Sequence, residues 1–279
     1  MQKIKNLVKS LLPPIVMSTL RSARRDNIRF EGGFASWEDA AKCCSGYDAN
    51  HILAKVLDAT LKVQRGEAVF ERDSVLFDEI DYAWPVTSGL MWAAARNAGR
   101  LNVLDFGGSL GSSYFQNRKF LHALADVKWN VVEQPHYVQA GQAQVQDETL
   151  RFYGSIRECL QSNQPNVILL SSVLQYLGRP HEMFDELGRS GAQFLIIDRT
   201  PFSALQQDKV AVQVVPPRIY EASYPMWVLG KAGFLEKSRD RWELVASWTN
   251  HDTADHVNMN FVFSFQGMIF EAGPRSVRN

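Results

Sequence analysis

One stretch carries residue types from which ligand chemistry can be built: Asn102-Val103-Leu104-Asp105-Phe106-Gly107-Gly108-Ser109-Leu110-Gly111-Ser112-Ser113, an apolar run entering a glycine-rich turn and then a helical pattern. Glycines in such a turn let backbone N–H groups approach a ligand at a helix N-terminus. Phosphate-cradling loops fit it poorly. A P-loop needs Lys-Ser/Thr after its last glycine, and Ser112-Ser113 supplies no lysine. A dinucleotide fingerprint G-x-G-x-x-G ending on Gly108 and Gly111 needs a glycine where Phe106 stands. What the turn does have is an acid closing the apolar run, Asp105, with glycines at the second and sixth positions after it. A second acid, Glu133, follows Val131-Val132 and lies 22 residues beyond Gly111, where a strand-end carboxylate can accept both hydroxyls of a ribose.

Asp105, Gly107, Ser109 and Gly111 together resemble motif I, D-x-G-x-G-x-G, of the class I S-adenosylmethionine-dependent methyltransferases, with serine for the middle glycine and an extra glycine at Gly108. The resemblance implies S-adenosyl-L-methionine as cofactor, held by Asp105, Gly107, Gly108, Ser109 and Gly111 and by Glu133 and Gln134 at the next strand end. The cofactor's ammonium and sulfonium suit an acid that would repel a pyrophosphate. Tyr153-Gly154-Ser155 ends the third strand without the acid that many family members place near the adenine, so backbone groups or Ser155 and Ile156 take that role. Ser171-Ser172-Val173-Leu174-Gln175-Tyr176 resembles the segment that passes under the transferable methyl group, and Phe194 to Asp198 looks like strand five. Asp198 is then the candidate general base, with His181, His251 and His256 as lesser ones; Tyr176, Tyr220 and Tyr224 line an acceptor pocket or belong to the core. More narrowly, Phe30-Glu31-Gly32-Gly33-Phe34 with Trp37, Gly46-Tyr47, Phe70-Glu71-Arg72-Asp73-Ser74 and Tyr82-Ala83-Trp84-Pro85 resemble a family of bacterial methyltransferases associated with surface-polysaccharide gene clusters. That implies a small-molecule or glycan acceptor, methylated on a hydroxyl. A non-catalytic scaffold of the same fold, or an NAD-dependent sugar oxidoreductase, remains the alternative.

These residues need elements to position them. Apolar runs at 102–106, 130–133, 150–153, 167–171 and 194–198 alternate with helical stretches, which predicts a mostly parallel, Rossmann-like α/β sheet covered on both faces. A helix is expected around Tyr224 to Ala232. Trp242 to Thr249 and Met259 to Phe270, with no helix between, read as a C-terminal antiparallel hairpin. Before residue 101 the patterns at 36–44, 49–65 and 87–97 are helical, and no strong strand is expected there. The organisation is thus a basic amphipathic segment at 1–26, a helical cap at 27–100, the Rossmann-like methyltransferase domain at 101–271 and a tail at 272–279.

The 279 residues hold 30 Lys+Arg and 30 Asp+Glu, but Lys3, Lys5, Lys9, Arg21, Arg24 and Arg25 precede the first acid, leaving 24 basic against 30 acidic residues in the rest. An acidic body argues against nucleic acid as a partner. Ile4, Leu7, Val8, Leu11 and Leu12 make residues 1–25 a candidate for peripheral contact with an anionic membrane. Cys43, Cys44 and Cys159 cannot form a fully paired disulfide framework and lack zinc-site spacing, so no metal is expected and a reducing cytoplasm, with peripheral contact at the inner membrane face, is the expected location.

Overall fold

The apolar runs after residue 100 form strands because each has a parallel partner beside it. The computed structural model describes residues 28–45, 49–72, 74–216, 222–250, 255–257 and 259–273, with 49–51 and 255–257 in backbone only. The parallel set is β4 (Arg100–Phe106), β5 (Asp126–Val132), β6 (Leu150–Tyr153), β7 (Val167–Ser171) and β8 (Phe194–Ser203). The chain moves outward from β4 to β5 and β6, then crosses back to lay β7 against the other side of β4 and β8 beyond it. The order therefore reverses between β4 and β7, and in open α/β sheets ligands bind outside the carboxyl ends of the strands at such a switch point.

Helices cover both faces. On one side α2 (Ala49–Gln64), α3 (Trp84–Arg96), α4 (Ser112–Leu121) and α5 (Pro135–Gln144) bury Ile52, Leu90, Phe115 and Tyr137 against Val103, Trp129, Leu169 and Ile196. On the other, α6 (Ile156–Ser162), α7 (Pro180–Gly188) and α8 (Lys231–Ser238) bury Ile156, Phe184 and Phe234 against Leu104, Ile168 and Ile197. Alternate residues of each strand serve the two cores, which is why the runs read as continuously apolar. The hairpin at the end is present as β11 (Trp242–Thr249) and β13 (Phe263–Ala272), and β13 pairs antiparallel with β8. The mostly parallel, Rossmann-like sheet with an antiparallel C-terminal hairpin is thus the fold observed.

Two expectations are corrected. The segment 222–230 is a strand, β10 (Ala222–Gly230), and helix α8 starts only at Lys231. Its aromatic and branched residues pair along their length with β9 (Lys209–Val215), and Pro225 sits where β8 does not reach, since β8 pairs only with Leu229 and Gly230. The front third also contains strands: β1 (Arg29–Glu31) and a hairpin of β2 (Phe70–Arg72) and β3 (Val75–Phe77). Together with α1 (Trp37–Lys42) they complete the described elements there. β1 inserts between β9 and β12 (Asp255–Val257), so β10, β9, β1 and β12 form an extra antiparallel-rich wing grown from the end of β8. Phe30, Met226 and Phe263 fill its core.

Residues 1–25, the membrane candidate, lie outside the described residues, as do Gly46, Tyr47, Asp73, Tyr220 and His251. Among the described residues no helix is long and apolar enough to cross a membrane.

Candidate functional site

The glycine turn occupies the switch point. Gly107, Ser109 and Gly111 all take left-handed backbone, at φ +71°, +54° and +92°, and Gly111 caps α4 from that conformation. Two of the glycines have no room for a side chain. A Cβ on Gly107 would lie 2.4 Å from Cγ2 of Val173, and one on Gly108 would lie 2.5 Å from the Asp105 carboxylate. The turn is therefore wedged between the segment after β7 above and Asp105 below.

Asp105 is 1% exposed and accepts a 2.9 Å hydrogen bond from Nε1 of Trp129. Burial, only partly opposed by that bond and reinforced by the charge of Glu133, pushes its carboxyl up to about 7. It underlies the turn rather than lining its surface, so any effect on a ligand bound there would come through its field. Glu133 stands differently. Its carboxylate accepts the backbone N–H groups of Gln134, at 2.5 Å, and of Ser109, tying the end of β5 to the turn. Burial raises its pKa. Gln134 caps α5 with its backbone.

Ser155 caps α6, where its hydroxyl accepts from the N–H of Glu158 at 3.1 Å; the Glu158 side chain returns to the N–H of Gly154 at 2.8 Å. Its hydroxyl thus serves the helix, and the crevice beside the end of β6 is lined by capped backbone. Ser171 and Asp198 face each other across β7 and β8, with Ser171 Oγ 3.5 Å from Asp198 Oδ2, one pleat beyond Asp105 on the same face. Ser172, at φ +55°, donates its N–H to the carbonyl of Asp198, and its hydroxyl accepts from Gln175 Nε2 at 3.0 Å.

Asp198 is held by a device that no local sequence pattern announces. Between Ile197 and Thr200 β8 has two residues where β13 has one, Gly267, and this bulge puts Arg199 at φ +48°. Oδ1 of Asp198 accepts both Nε1 of Trp248, at 3.3 Å, and Nδ2 of Asn250, at 3.0 Å. Arg199 Nε lies 3.9 Å from Oδ2. The indole of Trp248 crosses Gly267 so closely that a Cβ there would fall 2.0 Å from Cζ2. Gly267→Ala should therefore expel the indole from Asp198 and cost about 1–3 kcal/mol of stability by overpacking. Denaturant unfolding checks this, and an unchanged midpoint would show that Trp248 does not depend on that glycine.

Ser109, Ser172 and Arg199, three non-glycine residues in left-handed backbone, thus follow the carboxyl ends of β4 and β7 and interrupt β8. Such conformations cost on the order of 1–3 kcal/mol each and cluster at functional sites. A further carboxylate arrives from the β2–β3 hairpin: Glu71, 1% exposed, accepts from the hydroxyl of Ser112 in the first turn of α4. Phe70-Glu71 carried no signal beyond its place in the family resemblance. Other candidates lie elsewhere. His181 pairs with Asp208 at 2.6 Å and packs near Phe234, with neither Asp105 nor Asp198 among these partners, while His256 is on β12. Tyr176 donates to Gln213 Oε1 at 2.8 Å, and Gln213 Nε2 donates to the Tyr224 hydroxyl at 3.2 Å, at the root of the wing.

No family model and no curated protein matches the chain. Solved structures do resemble it. The N-terminal domain of EvdMO1, determined in the presence of SAH and D-fucose, is 11% identical, with a TM-score of 0.46 over 81% of this chain and 98% of that one. Magnesium protoporphyrin IX methyltransferase (ChlM) from Synechocystis PCC 6803 with bound SAM is 13% identical, with a TM-score of 0.42 over 82% and 99%. A protein described as a pericyclic reaction enzyme is 13% identical at a TM-score of 0.42, over 68% of this chain, which spans only 47% of that one. The ligands and reactions named for these proteins are theirs.

Proposed function

We propose that this chain is a class I S-adenosylmethionine-dependent methyltransferase acting on a hydroxyl of a small molecule or glycan, in cell-surface polysaccharide biosynthesis. The observation that carries it is the carboxylate of Glu133 bonded into a left-handed glycine turn at the switch point. Glu133 can accept hydrogen bonds from the ribose hydroxyls of a nucleoside, and the Asp105 carboxylate beneath the turn disfavours a pyrophosphate and suits a cationic ligand. Asp105 adds negative charge beneath the turn, and Gly107, Gly108, Ser109 and Gly111 let the backbone come close. Bound S-adenosylmethionine would supply a methyl group already activated for in-line transfer. The protein's part is alignment, which is worth up to roughly 7–11 kcal/mol for well-oriented partners. Asp198 is suited to take the acceptor's proton: Trp248 and Asn250 anchor its Oδ1, while Oδ2 has the long contacts to Ser171 and Arg199.

Calorimetry tests the reading. S-adenosylmethionine and its demethylated product are expected to bind, NAD is not, and Glu133→Ala should weaken binding roughly tenfold, as expected for one or two hydrogen bonds. Failure of the wild type to bind either sulfur nucleoside, or unchanged binding in the variant, would overturn it. Methyl transfer to nucleotide sugars or lipid-linked glycans then separates an enzyme from a scaffold.

A further inference from the structure

We infer that Gln175 and Asn250 form the acceptor-binding floor of the crevice, and that they select a head group rich in hydrogen-bond donors, hydroxyl or amine, against an anionic one. The inference rests on the methyltransferase reading for the word acceptor, but the donor preference comes from the side chains alone. Gln175 is fully buried on the 3-10 turn Leu174–Tyr176 after β7. Its Nε2 donates to Ser172 Oγ at 3.0 Å and to the Arg199 carbonyl at 3.2 Å, which fixes the amide's orientation. Its Oε1 is buried with no hydrogen-bond partner among the described residues. Asn250 approaches the same dipeptide from the end of β11: its Nδ2 donates to Asp198, and its Oδ1 is buried and likewise without a partner among the described residues. Two carbonyl oxygens from different elements are thus left without donors, each on a side chain bonded to the Asp198-Arg199 bulge.

A buried acceptor without a donor costs about 1–3 kcal/mol and calls for a specific explanation. Here the donors belong to a ligand. The nearby charges leave the preference to these oxygens, because Arg199, its Nε 3.9 Å from Asp198 Oδ2, offsets that carboxylate. Two amide oxygens and the remaining lone pairs of Asp198 make a surface of acceptors. A polyhydroxylated or amino-bearing group satisfies it. A carboxylate or phosphate placed against these two oxygens would meet their lone pairs and would leave both unpaired.

The test uses the full chain loaded with S-adenosylhomocysteine and ligand-observed NMR titration with matched probes: D-glucose and D-glucosamine against D-glucuronate and D-glucose 1-phosphate. The neutral and amino sugars are expected to bind at least tenfold more tightly than the two anions. Asn250→Leu and Gln175→Met should each remove that preference while leaving S-adenosylhomocysteine affinity within about twofold, which shows that the fold survives. Equal or tighter binding of the anions by the wild type, no binding of any probe, or a preference unchanged in both variants would overturn the proposal, the last by showing that the two oxygens hold only solvent. If a variant fails to fold, the wild-type preference still decides. Failure of S-adenosylhomocysteine itself to bind would sink the cofactor reading instead, and the sugar series repeated on the unloaded chain would still judge the donor preference.

Discussion

Replacing Gly108 with alanine is expected to weaken S-adenosylmethionine binding roughly 100-fold in a protein that still folds. The new Cβ would stand 2.5 Å from both Cγ and Oδ2 of Asp105 and 2.8 Å from Oδ1. Asp105 is pinned by Trp129 and enclosed, so it has little room to yield, and the turn must lift instead. The turn itself is pinned, because Gly107 already fits under Val173 with no space for a side chain and Ser109 holds left-handed backbone. Lifting it moves every N–H that faces the ligand and parts Ser109 from Glu133. Losing one or two charge-assisted hydrogen bonds of about 1.5–3 kcal/mol gives a fall in affinity of roughly 100-fold, with overpacking costing about 1–3 kcal/mol of stability. Gly66→Ala is the control: it is also strained, at φ +74°, but has nothing within 4 Å of its new methyl. It should lower the unfolding midpoint without touching calorimetric binding, and binding by Gly108→Ala equal to that of Gly66→Ala would remove the turn from the site.

The second large effect is expected from Asp105→Asn, and it depends on pH. Burial raises this carboxyl from 3.8 to about 7. A raised carboxyl favours the protonated native state, so the wild type should lose stability progressively as pH rises from about 4, where the unfolded group ionises, to about 7, and level off above that. Asparagine cannot ionise, yet its amide oxygen can still accept from Trp129. The variant should therefore lack this contribution, showing a smaller decline in unfolding midpoint than the wild type between about pH 4 and 7, and exceed the wild type at pH 8.5, by on the order of a few kcal/mol at most. Binding should move the opposite way. The ionised carboxylate favours a cationic ligand, so wild-type affinity for S-adenosylmethionine should weaken below pH 7, while the variant binds weakly at every pH. A variant whose stability and binding both follow the wild type across that window would mean that Asp105 is not the group that titrates.

Much of this architecture is legible in the residues and some is not. The five parallel strands announce themselves because both their faces are buried, which leaves long apolar runs. The turn is legible because Asp105, Gly107 and Gly111 are chemically unusual together. The wing is hidden for different reasons. Val210-Ala211-Val212-Gln213-Val214-Val215 carries a branched, apolar strand signal, whereas Tyr224 to Ala232 has a helical look that only the partner strand overrides. β1 is three residues long and exists because β9 and β12 flank it, a pairing no local pattern can display. At the site, Asp198 could be placed by its position on strand five, but its anchors could not. Trp248, Asn250 and Gly267 are adjacent to it only through hairpin register, and Glu71 reaches α4 from a hairpin formed 41 residues earlier in the chain.

The clasp on β1 has a consequence for how the molecule assembles. Arg29 pairs with Val214 on one side and Asp255 on the other, so a strand near the start of the chain closes only after nearly the whole polypeptide has been made. The parallel sheet around β4 needs no such wait, because its successive strands are separated by single helical crossovers. Contacts of long sequence separation form late and slowly, since the entropy of chain closure is lost before they stabilise anything. The glycine turn therefore has its scaffold early in folding, whereas the wing beside Tyr176 and the bulge is completed last. Synthesis itself thus orders the two halves of the crevice, and a ribosome-bound chain is expected to possess the glycine-turn side before it possesses the other.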